Sequence, residues 1–589
     1  MEYRLINPLE KSTSAIEQIF KNRGFKDTDS ILKYTNTQDS DILDPKTIDN
    51  ISDGVKMLIS HIKQNNKVMI QVDSDCDGYT SAAVLINYLN RLFPSFVQNN
   101  IYYRVHEKKE HGILINTIPA GTKLVIAPDS SSNEYDIHKE LKENGIDVLV
   151  IDHHNAEKVS EYACVINNQL CDYPTKSLSG VGMVYKFCSF IDSIMNTDFA
   201  DDYLDLVAVG IVADMMDLRD YETKHLIKRG LANIRNPFIK GLAEKNSFSL
   251  KDKITPFGVA FYIAPFINAV TRSGTLAEKL FLFESMLEFK SYEQIPSTKR
   301  GCKGQTETRV EQSCRNCINI KKRQGNIRDE NIEIVKKIIV DRDLLKNKIL
   351  FIQLPKEKQT DSNLTGLIAN QLMAEYQRPV LLLNQREHET PEGKEIWWEG
   401  SGRGYSKSSL KDFQGFLKWT GLAEYVEGHD NAFGFGIKNE NVDEFLSVTN
   451  EALKDCDFMP IYDVDIIYDF NNVDNYVLLD ADVLEIGGMD DCWGQGIEEP
   501  FVVFENVKVT ASNLTLMKGS TLKITVQNSN LSFIKFKSSE EEFDALYTPM
   551  GVVELNILGI CKVNTFNGIS KPQIEVKDYE IVKKEEYYF

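Results

Sequence analysis

Three short β-branched runs, each set apart by an amphipathic stretch and each ending in aspartate, constrain this chain more than any other feature. They are Val68-Met69-Ile70-Gln71-Val72, Lys123-Leu124-Val125-Ile126-Ala127 and Val148-Leu149-Val150-Ile151. Apolar runs of this length separated by helices predict a parallel α/β sheet buried on both faces. The first continues into Asp73-Ser74-Asp75-Cys76-Asp77-Gly78, where Thr80 and Ser81 open a helix. The second ends in Pro128-Asp129 and the third in Asp152-His153-His154. A fourth apolar segment, Leu206 to Ala213, ends in Asp214. In an open parallel sheet the ligand site lies outside the carboxyl ends of the strands, so these acids and both histidines are expected to converge on one edge.

Several carboxylates with one or two imidazoles form the donor set of a pair of Mn²⁺ or Mg²⁺ ions. Without cations, so many like charges repel. With them, two ions can brace the attacking and leaving oxygens of a phosphoryl transfer. One aspartate after a strand is commonly just a turn residue or helix N-cap. Four such clusters in order, one with a tandem histidine, fit that bland reading poorly. The Asp-x-Asp-x-Asp-Gly start of a calcium loop is also a poor fit, because the closing glutamate is missing and the segment sits between a strand and a helix.

At 589 residues the chain is long enough for three to five domains. Its 42% apolar and 26% charged residues are those of a folded protein. No apolar run reaches membrane-spanning length, and the start, Met1 to Pro8, carries no signal-peptide stretch. Ten scattered cysteines do not make a disulfide framework, so a reducing, cytoplasmic setting is expected. Cys314 and Cys317, with Cys302 upstream, have no fourth ligand nearby for structural zinc. Sixty-seven basic against 87 acidic residues, net −20, argue mildly against a protein that coats duplex DNA.

Along the chain, residues 1–62 read as a lead-in of short helices and 63–295 as the first α/β domain, mainly helical from 222. Residues 296–345 read as a polar linker, Lys299 to Arg328, running into a long helix from Ile332 to Leu345. A second α/β domain is expected over 346–455. Alternating strands with Asn, Ser and Gly turns predict a small β-barrel or sandwich over 460–589.

Asp73-Ser74-Asp75-Cys76-Asp77-Gly78, Pro128-Asp129, Asp152-His153-His154 and Gly210-Ile211-Val212-Ala213-Asp214 resemble the four ordered motifs of the DHH phosphoesterase superfamily. Within it the chain is most similar to the RecJ single-strand-specific exonucleases, over nearly its full length. Asn22-Arg23-Gly24, Asp44-Pro45 and Pro265 to Ala269 with Arg272 match the surroundings of that domain. Gly366 to Ala369, Gly400-Ser401-Gly402-Arg403 and Gly428-His429 through Gly434 match the DHHA1 domain. Trp493-Gly494-Gln495-Gly496 with Glu499-Pro500, and Asn567-Gly568 with Pro572-Gln573, match the OB-fold module. Val72, Ser130-Ser131, Thr271 and Glu427 depart from the family pattern, but none replaces a ligand-type residue.

The resemblance implies a DHH parallel-sheet domain and a DHHA1 domain joined by a long helix, with a C-terminal OB-fold barrel. It implies 5′→3′ hydrolysis of single-stranded DNA to 5′-mononucleotides, in repair, recombination or replication, with two Mn²⁺ or Mg²⁺ ions. Asp75, Asp77, Asp129, His153 and Asp214 would hold the ions, Asp129 bridging and Asp73 a further ligand or an acceptor behind them. His154 would contact the scissile phosphate and Asp152 would orient the histidines. Ser401, Gly402 and Arg403, read as a Gly-rich loop, would take a substrate phosphate together with His429; Arg104 and Arg272 are weaker phosphate candidates. The implied protein is a monomer with single-stranded DNA as ligand, a single-strand-binding protein or helicase as partner, and no membrane partner. Two other readings are a short-oligonucleotide or cyclic-dinucleotide phosphodiesterase, whose members lack the OB module, and a binding scaffold that has lost its metal ligands.

Overall fold

The three aspartate-terminated runs are neighbouring strands of one parallel sheet. The computed structural model describes residues 1–9, 13–107, 110–250, 253–390, 393–472 and 476–586. Five strands, β1 (Lys67–Val72), β2 (Ile101–Val105), β3 (Thr122–Pro128), β4 (Asp147–Asp152) and β5 (Cys164–Asn167), pair in the order β2-β1-β3-β4-β5, all parallel. The order reverses between β1 and β3, and that switch point is where such sheets bind ligands. The strands that carry Asp73 to Asp77 and Asp129 are the two that flank it.

Helix α1 (Cys76–Leu92) follows β1 directly and is buried from Cys76 to Leu89, so it is the central helix of the domain. α2 (Gly180–Met195) and α3 (Leu204–Ala213) pack beside it. The fourth apolar segment, which ends in Asp214, is thus a helix and not a strand. Residues 204–212 of α3 are all buried, and a helix enclosed on every side has no polar face to reveal its period.

The chain sorts into two compact units. One is Arg23–Lys322 with Met489–Glu499; the other is Met1–Asn22, Arg323–Gly488 and Pro500–Phe589. The polar stretch expected to be a linker is helical from Arg309: α4 is one helix of 33 residues, Arg309–Asp341. Its buried residues include Val310, Cys314, Cys317 and Ile320, then Ile332, Val335, Ile338 and Ile339.

In the second unit, strands β6 (Leu350–Leu354), β7 (Val380–Thr390), β8 (Gly393–Arg403), β9 (Tyr425–His429) and β10 (Ala432–Lys438) pair in the order β9-β10-β8-β7-β6. Only β6 and β7 run parallel. Helix α5 (Ser362–Tyr376) covers one face, with Leu364, Ile368 and Leu372 against Leu350, Ile352 and Leu382.

A seven-stranded mixed sheet follows, built from β11 (Ile466–Asp469), β12 (Val502–Val509), β13 (Leu514–Met517), β14 (Thr521–Thr525), β15 (Ser532–Phe536), β16 (Gly551–Phe566) and β17 (Ile569–Glu586). Their order is β11-β12-β16-β17-β15-β14-β13. Asn567 and Gly568, both at positive φ, form the two-residue turn between β16 and β17, as the twist of a tight hairpin requires. The lead-in contains a strand that was not expected: Glu2–Leu5 pairs in parallel with Ile461–Val464. Among the described residues no helix is long and apolar enough to cross a membrane.

Candidate metal centre

Backbone donors hold several of the acids at the sheet edge in place. Asp75 is the N-cap of α1 and accepts from Gly78 N at 2.9 Å. Asp77, one turn in, faces the start of α2, where Ser179 Oγ (2.9 Å), Gly180 N (2.7 Å) and Val181 N (3.3 Å) donate to it. Such free amides at a helix start favour a carboxylate. Asp129 follows β3 in the left-handed region, φ +67, a conformation aspartate tolerates, and its N–H bonds Ile151 O at 2.8 Å. Gly180 has no side chain because a Cβ there would overlap the Asp129 carboxylate.

Asp214 caps the C-terminus of α3. Met215 N bonds Val212 O at 3.2 Å and Met216 N bonds Ile211 O at 3.3 Å, the paired bonds of a Schellman ending. Met215, at φ +58, occupies the position that usually takes glycine. His153 Nε2 lies 3.3 Å from Asp129 Oδ1 and 3.3 Å from Asp214 Oδ2. Asp77, His153 and Asp214 bring one potential ligand atom each within 4.8 Å of one another, as do Asp129, Asp152, His153 and His154. The structure thus brings Asp77, Asp129, Asp152, His153, His154 and Asp214 together, with Asp73 and Asp75 on the same β1–α1 turn as Asp77.

Electrostatics divide these groups by role. Burial, reinforced by Asp77, Asp75, Asp73 and Asp214, pushes the Asp129 carboxyl far above the usual range. Burial and Asp77 likewise push Asp214 up. Burial lowers His153 and so keeps its imidazole neutral, the form that ligates metals. The hydrogen bond from its Nδ1 to Asp152 Oδ1, 2.8 Å, raises His154 to about 9 despite partial burial. Asp152 also accepts from His153 N (2.7 Å), His154 N (3.3 Å) and Ser132 N (3.1 Å). Its oxygens are thus committed to the protein, although they lie within reach of the cluster.

Asp73 is engaged in the same way. His111 Nδ1 lies 3.1 Å from Oδ2, Gly112 N 3.4 Å from Oδ1 and His106 Nε2 3.5 Å from Oδ1. Burial alone would raise its pKa, but the bonds from His106 and His111 hold it down at about 2. Both histidines escaped the sequence reading, since each meets Asp73 only through the fold.

The cluster passes a direct test of fit for divalent cations. Asp129 Oδ1 and His153 Nε2 are buried without a hydrogen-bond partner, and buried polar atoms are seldom left so. A divalent cation held by Asp129 and His153 would satisfy both atoms and neutralise the crowded carboxylates.

The phosphate candidates have their own surroundings. Arg104, on β2, donates to Thr117 Oγ1 at 3.0 Å. Arg272 is exposed in the last turn of the helix Ala264–Ser273. Ser401, Gly402 and Arg403 belong to the second unit, and they do not form a loop. They are the last residues of β8, paired on both sides with β7 and β10. The glycines serve close packing: a Cβ on Gly402 would overlap the Phe433 ring, and one on Gly400 the Leu382 carbonyl. Arg403, Ala432 and His429 are directly opposite one another across β8, β10 and β9, so Arg403 and His429 share a sheet face. Ser401 Oγ meets Thr365 Oγ1 of α5 at 2.8 Å, and Gly366 beside it leaves room for the Arg403 guanidinium.

Comparison with known proteins adds the family context. The model of the DHH family, N-terminal domain, matches residues 67–211, and that of the RecJ OB domain matches residues 481–578. The chain is 38% identical to the putative SPbeta prophage-derived single-strand DNA-specific exonuclease YorK of Bacillus subtilis, over 99% of each chain. It is 24% identical to the single-stranded-DNA-specific exonuclease RecJ of Bacillus subtilis, over 96% of this chain and 68% of that one. The crystal structure of RecJ from Thermus thermophilus in complex with Mn²⁺ superposes with a TM-score of 0.69 at 18% identity, covering 98% of this chain and 77% of that one.

Proposed function

The chain belongs to the RecJ-type family of single-strand-DNA-specific exonucleases built on a DHH domain, and from that premise we propose that it hydrolyses single-stranded DNA from the 5′ end to 5′-mononucleotides with two divalent cations. The observation that carries this reading is the buried pair Asp129 Oδ1 and His153 Nε2, unpartnered and 3.3 Å apart beside Asp214. Relatives described as RecJ in complex with Mn²⁺ and Mg²⁺ have the same fold.

Asp75, Asp77, Asp129, His153 and Asp214 would hold the cations. When bound, these supply charge neutralisation at the phosphoryl group and a water of lowered pKa. The protein's own part is positional. The amides of α2 orient Asp77, and the neutral ring of His153 lies between Asp129 and Asp214. Asp73, occupied by His106, His111 and Gly112, holds the turn that carries Asp75 and Asp77. Asp152 keeps the Nδ1 proton of His154, so a charged, half-exposed imidazolium is offered to a non-bridging phosphate oxygen. Arg403 and His429 offer a second phosphate contact on their own sheet. The C-terminal sheet, matched as a RecJ OB domain, would grip flanking nucleotides by stacking and phosphate contacts.

A substrate panel tests this. With Mn²⁺, a long single strand should be cleaved faster than blunt duplex or a cyclic dinucleotide by at least about tenfold, the worth of one stacked base. EDTA should abolish cleavage of all three. A cyclic dinucleotide or dinucleotide consumed faster than the long strand would assign the protein to the short-substrate phosphodiesterases instead.

A further inference from the structure

The Trp493-Gly494-Gln495-Gly496 segment packs within the unit that carries the metal centre, although Gly488 before it and Pro500 after it belong to the other unit. Its carbonyls and acids are anchored by residues of the 23–322 unit. Tyr34 Oη donates to Cys492 O at 2.9 Å and Arg23 Nε to Glu498 O at 3.0 Å. Lys224, itself buried, donates to Asp491 O, and Lys253 pairs with Asp490 at 3.1 Å. Cys492, Trp493 and Ile497 are all buried. Gly494 and Ile497 bond each other in both directions, at 2.9 and 3.2 Å, and close a tight loop.

The tip of that loop meets the turn that follows Asp214. Leu218 N donates to Gln495 O at 2.9 Å. A Cβ on Gly496, at φ +76, would overlap the Asp217 carboxylate, and one on Gly494 would overlap Leu218 Cδ1. Only glycine lets the strap approach so closely. Asp214 begins this turn, and the next residue is Met215 in the left-handed region, where a side chain costs about 1 kcal/mol. A turn under that strain keeps one geometry only when its far end is fixed as well.

We propose that residues 489–499 are a positioning strap for Asp214: by holding Leu218 and packing on Asp217, they set where the Asp214 carboxylate stands relative to His153 and Asp77. The proposal rests on the metal reading given above. Gln495 and Gly496 act through the turn and touch no reacting atom. A residue supporting a metal ligand from behind is typically worth 10–100-fold in metal affinity.

The test is Mn²⁺ binding to the full chain, followed by calorimetry without DNA. Gly496→Ala should weaken Mn²⁺ binding by about tenfold or more. Gly568→Ala is the matched control, because Gly568 also sits at φ +76 but has open space around it, and its Mn²⁺ affinity should be that of wild type. Asp217→Ala removes the atoms that the new methyl would strike, so Asp217→Ala/Gly496→Ala should bind Mn²⁺ about as tightly as Asp217→Ala alone. If Gly496→Ala does not fold, Gly494→Ala takes its place, with the same tenfold loss expected. Hydrogen exchange at the Leu218 amide should be faster in either glycine variant. A glycine variant that binds Mn²⁺ within twofold of wild type, or a control that loses as much, overturns the strap. Wild-type protein that binds no Mn²⁺ refutes the metal reading itself.

Discussion

Asp129→Asn should lower the rate of DNA hydrolysis by on the order of 10³ or more, while the metal-free protein melts at the same temperature as wild type or higher. The two effects have one cause. Asn has the shape of Asp and tolerates the left-handed backbone at φ +67, and Gly180 leaves the same room for it. The fold therefore loses nothing sterically. It does lose a buried carboxyl whose ionised form burial and Asp77, Asp75, Asp73 and Asp214 all disfavour. What disappears is an anionic ligand opposite His153. Steady-state kinetics and a melting curve in EDTA read the two effects separately. A rate within a few-fold of wild type would show that Asp129 does not hold cations. A folded state lost in EDTA would show that its charge is structural.

The second large effect is a pH-dependent stabilisation by metal. Asp214 is pushed up to about 8 and His154 to about 9, both above their unfolded values. In metal-free protein, therefore, the native state binds more protons than the unfolded state, through Asp214 from about pH 5 to 8 and through His154 from about pH 7 to 9, and stability falls as pH rises through that window. Asp73, held at about 2, and Asp152, held lower still, are fully ionised there and add no slope. Cations take the ionised carboxylates, so the stabilisation they give should grow over the same window. At 1,000 times its dissociation constant a ligand contributes about 4 kcal/mol, or roughly 10 °C for one domain. Calorimetry at pH 6 and pH 8.5, with and without Mn²⁺, should show a larger shift at pH 8.5. An equal shift at both would mean that these carboxyls are not the ligands.

Much of this site was legible in the sequence because its information is local. Each of β1, β3 and β4 is an apolar run that ends in its acid, and parallel strands deliver their carboxyl ends to one edge whatever the loops do. What escaped is what depends on distant packing. α3 carries Asp214 but is buried all round, so Leu206 to Ala213 has no polar side to mark it as a helix. The first half of α4 buries Gln312, Ser313, Cys314, Cys317 and Gln324, a stripe whose polar members hide its period. Gly400 to Arg403 looked like a loop because its glycines answer to Leu382 and Phe433 on neighbouring strands. His106 and His111 meet Asp73, and Gln495 meets Leu218, across separations that no window of sequence spans.

The direction of attack at a free end is the most direct test of this exonuclease. Take one long single strand bearing a 5′ label, and the same strand bearing a 3′ label, each digested with Mn²⁺ under limiting enzyme and resolved by length. The 5′ label should appear at once as mononucleotide, with no labelled intermediates, while the 3′ label persists in long fragments that shorten with time. A 3′ label released first, or internal cuts giving both labels in mid-length fragments, would contradict it.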